Sequence, residues 1–181
     1  MLTDDAAHEA RIEAMRRDSG ITLDMDGDFR FRGSLVAHPR VQALFHRGLE
    51  IKAAGDLAMH VGRWWCYVQC DGPAYFVEGF GRTSDGGPVA HVRGGRDISL
   101  AGAVFGYALD RDRIYLWSND LSGPALLLRP AHQEALVMIM DEGEAWFEAG
   151  GHGVLELETS GVRCVLLDAA PLTPDAPCPL R

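Results

Sequence analysis

The stretch LAMHVGRWWCYVQCDGPAYFVEGFGRTSDGGPVAHVR, residues 57–93, decides the fold class. It holds four short strand-like runs, LAMHV, WWCYVQC, AYFVEGF and VAHVR, and the turn signals CDGP and SDGGP break the series. Breaks this short suit antiparallel neighbours and leave no room for crossover helices. The stretch therefore predicts consecutive antiparallel strands.

Further strand-like runs follow toward the C-terminus: AVFGYAL, RIYLW, EAWFEAG, GVLELET and VRCVLLD. Helices are predicted over residues 4–18, from Pro39 to Gly55, and over residues 129–143, where Pro130 suits a first helical turn. The first helix has a thin apolar face, so we expect it to pack on a neighbour, from this or another subunit, or to fray. Together these patterns predict an α+β fold. It is predominantly antiparallel, with about ten strands in a sheet or partly closed barrel and two or three covering helices.

The domain organisation follows from length and local composition. At 181 residues the chain suits one packed domain. We expect an N-terminal helix or arm over residues 1–20, a single β-rich domain over 21–169, and an extended tail over 170–181, which contains four prolines.

Charge and composition narrow the partners. The formal net charge is −9, and the basic residues, sixteen arginines and Lys52, form no clustered stripe. Nucleic acid is therefore not an expected partner. The N-terminus lacks the basic residues and apolar core of a signal peptide, and no apolar run reaches the length of a membrane span. We expect a soluble, cytoplasmic protein.

The acidic stretch ITLDMDGDF, Ile21 to Phe29, offers the main candidate for catalysis. It resembles the nucleophile motif Asp-x-Asp-Gly-Thr of the haloacid-dehalogenase-like phosphatases, which implies Asp24 as phosphoryl acceptor and Asp26 as acid/base. Asp28 occupies the position of the family's threonine, where its charge would repel phosphate.

A hairpin is the alternative for the same stretch, because Asp-Gly tolerates the positive φ of a tight turn. A shared apolar face for Leu23, Met25, Phe29 and Phe31 requires a loop of odd length. The predicted register pairs Met25 with Phe29 and Leu23 with Phe31, which leaves residues 26–28 as a three-residue turn. In the calcium-loop pattern a glutamate closes the site at the twelfth position, which here is Leu35.

Aromatic residues cluster on two successive predicted strands. Alternation puts Trp65 and Tyr67 on one face and Trp64 on the other, so one face can be core while the other covers a helix or lines a groove. A ligand site is predicted here, with these side chains: Arg63, Trp64, Trp65, Tyr67, Tyr75, Glu78 and Arg82.

Metal and cofactor sites are not expected. His60 and His91 lie in strand-like runs and could meet across a sheet, but no second cysteine pair or close histidine pair completes a ligand set. Cys66 and Cys70 would be roughly 13 Å apart in a strand, too far for a disulfide, so reduced thiols are predicted. Neither the phosphate-loop lysine nor the dinucleotide glycine spacing is present.

Three segments carry a resemblance to known families: GSLVAHPRVQALFHRGL, WWCYVQCDGPAYFVEGF and YALDRDRIYLWSN. Their order resembles small uncharacterised bacterial domain-of-unknown-function proteins. It also resembles an uncharacterised mitochondrial family with a Cys-Asp-Asp-x-Pro turn. The resemblance covers about the first 120 residues and implies a compact β-rich fold with no assigned catalytic residue.

Two functional hypotheses remain. The first is a non-catalytic binding or protein-interaction module, forming a homodimer, with a small molecule or protein as partner. The second is a small phosphatase-like hydrolase that uses Asp24 and Asp26. The first is favoured because every catalytic motif lacks at least one required residue.

Overall fold

The computed structural model of the protein describes residues 4–158 and 160–180. Its helices are α1 (Asp4–Arg17), α2 (Pro39–Arg47) and α3 (Arg129–Glu148). Its strands are β1 (Ile21–Leu23), β2 (Phe29–Phe31), β3 (Ser34–Leu35), β4 (Leu49–Ile51), β5 (Leu57–Val61), β6 (Trp64–Tyr67), β7 (Gln69–Cys70), β8 (Tyr75–Arg82), β9 (Pro88–Val92), β10 (Arg96–Ser99), β11 (Val104–Ala108), β12 (Arg113–Trp117), β13 (Ala125–Leu127), β14 (Leu155–Leu157) and β15 (Val162–Leu167). The α+β class is confirmed. The strand count is higher than predicted, because short strands such as β3, β4 and β7 have no clear alternating pattern of their own.

The strands form three open sheets. Their orders are β3-β2-β1-β7, then β10-β9-β8-β13-β12-β11-β15-β14, and β4-β5-β6. Within the described residues each sheet ends in two edge strands, so of the two predicted alternatives the open sheet is present and the partly closed barrel is not. None of the described helices is long and apolar enough to cross a bilayer.

Most neighbouring strands are antiparallel, as predicted, but three pairs are parallel. These pairs are β1 with β7, β8 with β13, and β11 with β15. Each joins strands that are separated by other elements in the chain. Turn spacing reports only on consecutive strands, so the sequence pattern did not reveal these long-range pairs.

The core includes the middle of the eight-stranded sheet and extends into the two smaller sheets through residues such as Phe29 and Leu57. Strands β12 and β13 are buried along almost their whole length, and Phe76, Leu116 and Leu126 have at most 2% of their surface exposed. Helix α3 contacts β8, β12, β13 and β14. The packing therefore fixes the central strands, from which the turns at the sheet ends project.

Helix α1 matches its prediction and packs on β6 of the same chain. The guanidinium of Arg16 lies 4.1 Å from the centre of the Trp65 ring, and that of Arg17 lies 4.1 Å from the centre of the Tyr67 ring. Cation–π contacts of this kind attach the C-terminal end of α1 to the sheet.

Two predicted element boundaries are wrong. Helix α2 ends at Arg47, with Gly48 as its cap, and β4 follows where the helix was expected to continue to Gly55. The run EAWFEAG is not a strand, because α3 continues through it to Glu148. Trp146 and Phe147 pack against the core from this last part of the helix, so tertiary contacts override their strand preference.

The hairpin of β1 and β2 is present, but its register differs from the prediction. Leu23 pairs with Phe29 and Ile21 with Phe31, which leaves a five-residue loop, Asp24 to Asp28. The predicted three-residue turn is therefore wrong. The physical reason is the Asp24 side chain, whose Oδ1 accepts hydrogen bonds from the backbone N–H groups of Asp26, at 3.1 Å, and Asp28, at 2.9 Å.

Residues 170–180 contain no helix or strand and lie against the domain. The indole N–H of Trp117 donates to the carbonyl of Ala176 at 3.0 Å, and Cys178 and Leu180 pack on the core. The division into arm, domain and tail stays a prediction.

Candidate functional site

The aromatic residues singled out in the sequence do not form one site. On β6, Trp64 is 71% exposed beneath the Arg63 guanidinium, while Trp65 stacks on the His60 ring at 6.0 Å between centroids. Tyr67 lies beneath Arg17. Arginines of the same chain therefore cover Trp65 and Tyr67, whereas Trp64 stays largely exposed.

The other members of that predicted set belong to β8, in a different sheet. Tyr75 is 6% exposed, and its hydroxyl lies 3.0 Å from that of Ser122. Arg82 donates to the carbonyl of Gly86 in the β8–β9 turn. Glu78 alone of the set faces the groove described below. Ligand binding by the remaining members stays a prediction.

The acids of the β1–β2 loop have unequal environments. Asp24 is bound within the loop, and its Oδ2 accepts a hydrogen bond from Arg30 Nε at 3.1 Å. Asp26 is exposed, and its carbonyl accepts from Arg93 Nη1. The Asp24 carboxylate therefore organises the loop, and the catalytic roles of Asp24 and Asp26 stay untested predictions.

His60 and His91 do not meet. His60 Nε2 lies 2.9 Å from Glu50 Oε2 in the three-stranded sheet, and His91 Nδ1 lies 2.8 Å from Asp97 Oδ1 in the eight-stranded sheet. No three His, Cys, Asp or Glu side chains of residues 4–158 and 160–180 are placed to hold a metal ion. The four cysteines are free thiols, as predicted.

A groove of about 430 Å³ lies where the β1–β2 loop, α2 and the β9–β10 turn meet. We call it the His46 groove. One part of its lining is aliphatic, and the other carries polar side chains and two turn glycines; the lining residues are Leu35, Val36, Ala37, Pro39, Ala43, Asp28, Gln42, His46, Glu78, Arg93, Gly94 and Gly95. An apolar wall facing a few convergent polar groups is the usual anatomy of a small-molecule site.

His46 forms the buried base of the polar part. It is 5% exposed, and its ring packs edge-to-face on Phe29, with centroids 4.8 Å apart, and on Phe76, at 5.9 Å. Nε2 lies 2.8 Å from the carbonyl oxygen of Gly27. Because a carbonyl only accepts, Nε2 carries the proton. Burial lowers the pKa of His46 to about 4, so the ring is neutral at pH 7 and Nδ1 is an acceptor.

Arg93 connects the loop to the sheet. Its Nη1 donates to the carbonyls of Asp26 and Gly27, both at 2.9 Å, and lies 3.5 Å from Asp28 Oδ1. Its Nε donates to Glu78 Oε1 at 2.9 Å. One guanidinium thus holds two carboxylates and two carbonyls, which fixes the polar wall of the groove.

Close backbone packing also shapes this site. Gly94 has φ +96, and a Cβ there would lie 2.9 Å from the backbone nitrogen of Arg47 and 3.0 Å from Cβ of His46. Only glycine lets the β9–β10 turn approach the end of α2 this closely.

Two other concavities are weaker candidates. A groove of about 420 Å³ beside Asp56 and Cys70 has its arginine, Arg17, paired with Asp56 at 3.2 Å. A groove of about 600 Å³ between β8 and α3, which includes Phe80 and Val137, is mostly apolar. Neither combines an aliphatic wall with a buried, neutral histidine.

Acid is expected to destabilise the protein through His46. The folded-state pKa, about 4, is below the ordinary value of 6.5, so the unfolded state binds more protons between these pH values. Stability from this group is present above pH 6.5 and is lost as the pH falls toward 4. We expect a loss of about 2 kcal/mol between pH 6.5 and 4.5 from this group alone.

Chemical denaturation across this pH range measures the effect. In His46→Gln, which keeps a donor for the Gly27 carbonyl, the pH dependence should be shallower by that amount. His38→Gln, at an exposed position before α2, should retain the wild-type slope. Equal slopes for wild type and His46→Gln would contradict the assignment.

Sequence reasoning missed His46, Gln42 and Arg93. The chain has seven histidines, among which the spacing of His46 is not distinctive, and Arg93 precedes the turn glycines Gly94 and Gly95. The available signal for His46 was its place near the end of α2, directly after Phe45, which belongs to the apolar face of that helix. Arg93 is 67 positions from Asp26 and 66 from Gly27 in the chain. No local sequence pattern indicated that it would contact either residue.

The α+β fold is similar to that of a solved bacterial protein. The structure is similar to that of a DUF1285 family protein from Silicibacter pomeroyi, with a TM-score of 0.57 and 16% sequence identity over 82% of this chain and 79% of that one. A DUF1285 family protein from Shewanella baltica aligns with a TM-score of 0.45 and 14% identity, over 61% of this chain and 85% of the other.

The likeness at this identity concerns the fold and assigns no activity. It agrees with the resemblance to bacterial proteins of unknown function. No family model matches the sequence, and no curated protein matches it. The resemblance to a mitochondrial family is not supported by these comparisons.

Proposed function

We propose that this protein is a non-catalytic binding module that holds a small molecule in the His46 groove. The observation that carries the proposal is the groove itself, whose lining combines aliphatic residues with the polar side chains of His46, Arg93, Asp28 and Glu78. Its volume, about 430 Å³, falls within the range of typical ligand sites.

The contacts of the polar groups support binding over catalysis. Nε2 of His46 is occupied by the Gly27 carbonyl, and Arg93 is held by two carbonyls and two carboxylates. Both side-chain groups of Gln42 bond the backbone, at Phe29 N–H and Val36 carbonyl. These side chains are rigid and already hydrogen-bonded, as expected of a preorganised binding wall.

A cytoplasmic location belongs to the same proposal. The four free thiols support this location, because they suit a reducing compartment. The net charge of −9 concerns the partner instead and argues against nucleic acid. Homodimerisation and binding of a protein partner stay predictions.

Filling the groove tests the proposal. Ala43 lies half-buried on α2 and lines the groove, so Ala43→Trp should place an indole in it. Compounds from a fragment library that shift the Gly94 and Gly95 amide signals of the wild type in two-dimensional NMR should lose at least about tenfold in affinity for the variant.

Ala7→Trp, on an exposed position of α1, is the matched control and should bind as the wild type does. Folding of each variant is checked by circular dichroism. Undiminished binding of every such compound to folded Ala43→Trp would contradict the proposed function.

A further inference from the structure

The two carboxylates of the His46 groove each have an oxygen that Arg93 does not use. Arg93 uses one oxygen of Glu78, Oε1, and one of Asp28, Oδ1. In the part of the chain that the structure describes, the other two carboxylate oxygens, Glu78 Oε2 and Asp28 Oδ2, accept no hydrogen bond. Two carboxylate oxygens therefore remain free to accept from a ligand.

His46 adds a third acceptor. The residue is 5% exposed, and its Nε2–H group donates a hydrogen bond to the Gly27 carbonyl. Nδ1 of the neutral ring has no hydrogen-bond partner within the described residues. Nδ1 is not one of the fully buried atoms that lack a partner, so it is accessible and can accept a hydrogen bond.

The charges of the lining point the same way. Among the described lining residues the charged ones are Asp28, Glu78 and Arg93, which sum to −1 because His46 is neutral. Asp28 and Glu78 are 43% and 52% exposed at their side chains, so an incoming group can reach them. A monocation would neutralise this wall, whereas an anion would meet two carboxylates.

We infer that the ligand of the groove is an organic cation, a primary or secondary amine with an apolar body. Its ammonium group donates to Glu78 and Asp28, and its apolar part lies on Val36, Pro39 and Ala43. This inference rests on the proposed function of the groove and adds the class of ligand.

Three probes of similar size separate charge from shape: 2-phenylethylamine, 2-phenylethanol and 3-phenylpropanoate. Each is titrated into the wild-type protein, with the Gly94 and Gly95 amides followed by NMR. The amine should bind at least about tenfold more tightly than the alcohol, and the carboxylate should bind most weakly.

Variants then assign the charge effect to the groove. Glu78→Gln keeps an oxygen for Arg93 but removes the carboxylate, so it should weaken amine binding about tenfold and leave the alcohol unchanged. Glu156→Gln, at an exposed acid of β14, is the control and should leave all three affinities unchanged. Ala43→Trp should abolish the response to every probe.

The outcomes separate the two proposals. Tighter binding of the carboxylate or alcohol, blocked by Ala43→Trp, overturns the amine assignment and leaves the groove as a binding site. The amine assignment is also overturned if the protein prefers the amine and Glu78→Gln does not reduce that preference. Probe responses that folded Ala43→Trp leaves unchanged overturn both.

Discussion

Replacing Phe29 with alanine is expected to lower the free energy of unfolding by about 4 kcal/mol, the usual scale for a buried phenylalanine. Phe29 has no exposed surface. Its ring lies edge-to-face against Phe45, with centroids 5.2 Å apart, and against His46, at 4.8 Å. The deletion would leave a cavity beneath α2, at the base of the groove. Urea denaturation followed by circular dichroism measures the loss.

Phe31→Ala is a matched control on the same strand. Phe31 lies two residues further along β2 and is 48% exposed, with the Arg32 guanidinium 5.3 Å from its ring. We expect its removal to cost about 1 kcal/mol or less, because little apolar surface returns to water. Equal losses for the two variants would contradict the burial of this hairpin.

Gly48→Ala is expected to cost more than about 3 kcal/mol, at the upper end for overpacking. The φ of Gly48 is −88°, which alanine adopts readily, so the cost comes from packing alone. An alanine Cβ would lie 2.0 Å from the carbonyl oxygen of His60. That backbone cannot yield easily, because His60 N–H donates to the Gly48 carbonyl at 2.9 Å. The alanine would therefore separate α2 from β5.

Gly79→Ala separates this contact from the general effect of replacing a glycine. Gly79 lies in β8 outside the left-handed region, and a Cβ there would meet nothing within 4 Å. Its replacement should change stability by no more than about 1 kcal/mol. Thermal and urea unfolding of both variants test the difference. A loss for Gly48→Ala as small as that for Gly79→Ala would show that α2 and β5 pack less closely.

The groove depends on the same packing that these variants test. The Phe29 ring packs against the His46 ring. Gly48 caps α2 two residues after His46. Loss of either contact should therefore displace His46 from the Gly27 carbonyl.

Much of the secondary structure could be predicted from local patterns. Alternation located β5, β6, β8 and β9, and composition with proline positions located the beginnings of the three helices. These signals are local, because alternation and helix-start preferences depend on residues a few positions apart.

The hairpin register and the end of α2 depended on more specific contacts. Alternation of apolar residues correctly predicted a hairpin loop with an odd number of residues. The loop has five residues instead of three, because the Asp24 carboxylate accepts hydrogen bonds from the backbone within it. Helix α2 ends where Gly48 meets the backbone of His60, a contact between residues twelve apart. A pattern of apolar residues carries no information about either contact.

The candidate site was the part least accessible to sequence reasoning. Of the aromatic set and its polar partners, only Glu78 lines the His46 groove, and its relevance comes from the hydrogen bond to Arg93. The aromatic rings of β6 and β8 were near in sequence but are in different sheets.

Local sequence patterns were sufficient to predict the α+β class, the strand-rich centre, the beginnings of the three helices and the acidic character of the protein. Those properties follow from residue preferences and short-range periodicity, which act along the chain. The parallel strand pairs, the open sheets and the groove became visible only in the folded chain. Arg93 meets Glu78, Asp28 and the Gly27 carbonyl because the chain folds three distant turns and strands together. Such contacts depend on the packing of whole elements, which local preferences do not specify.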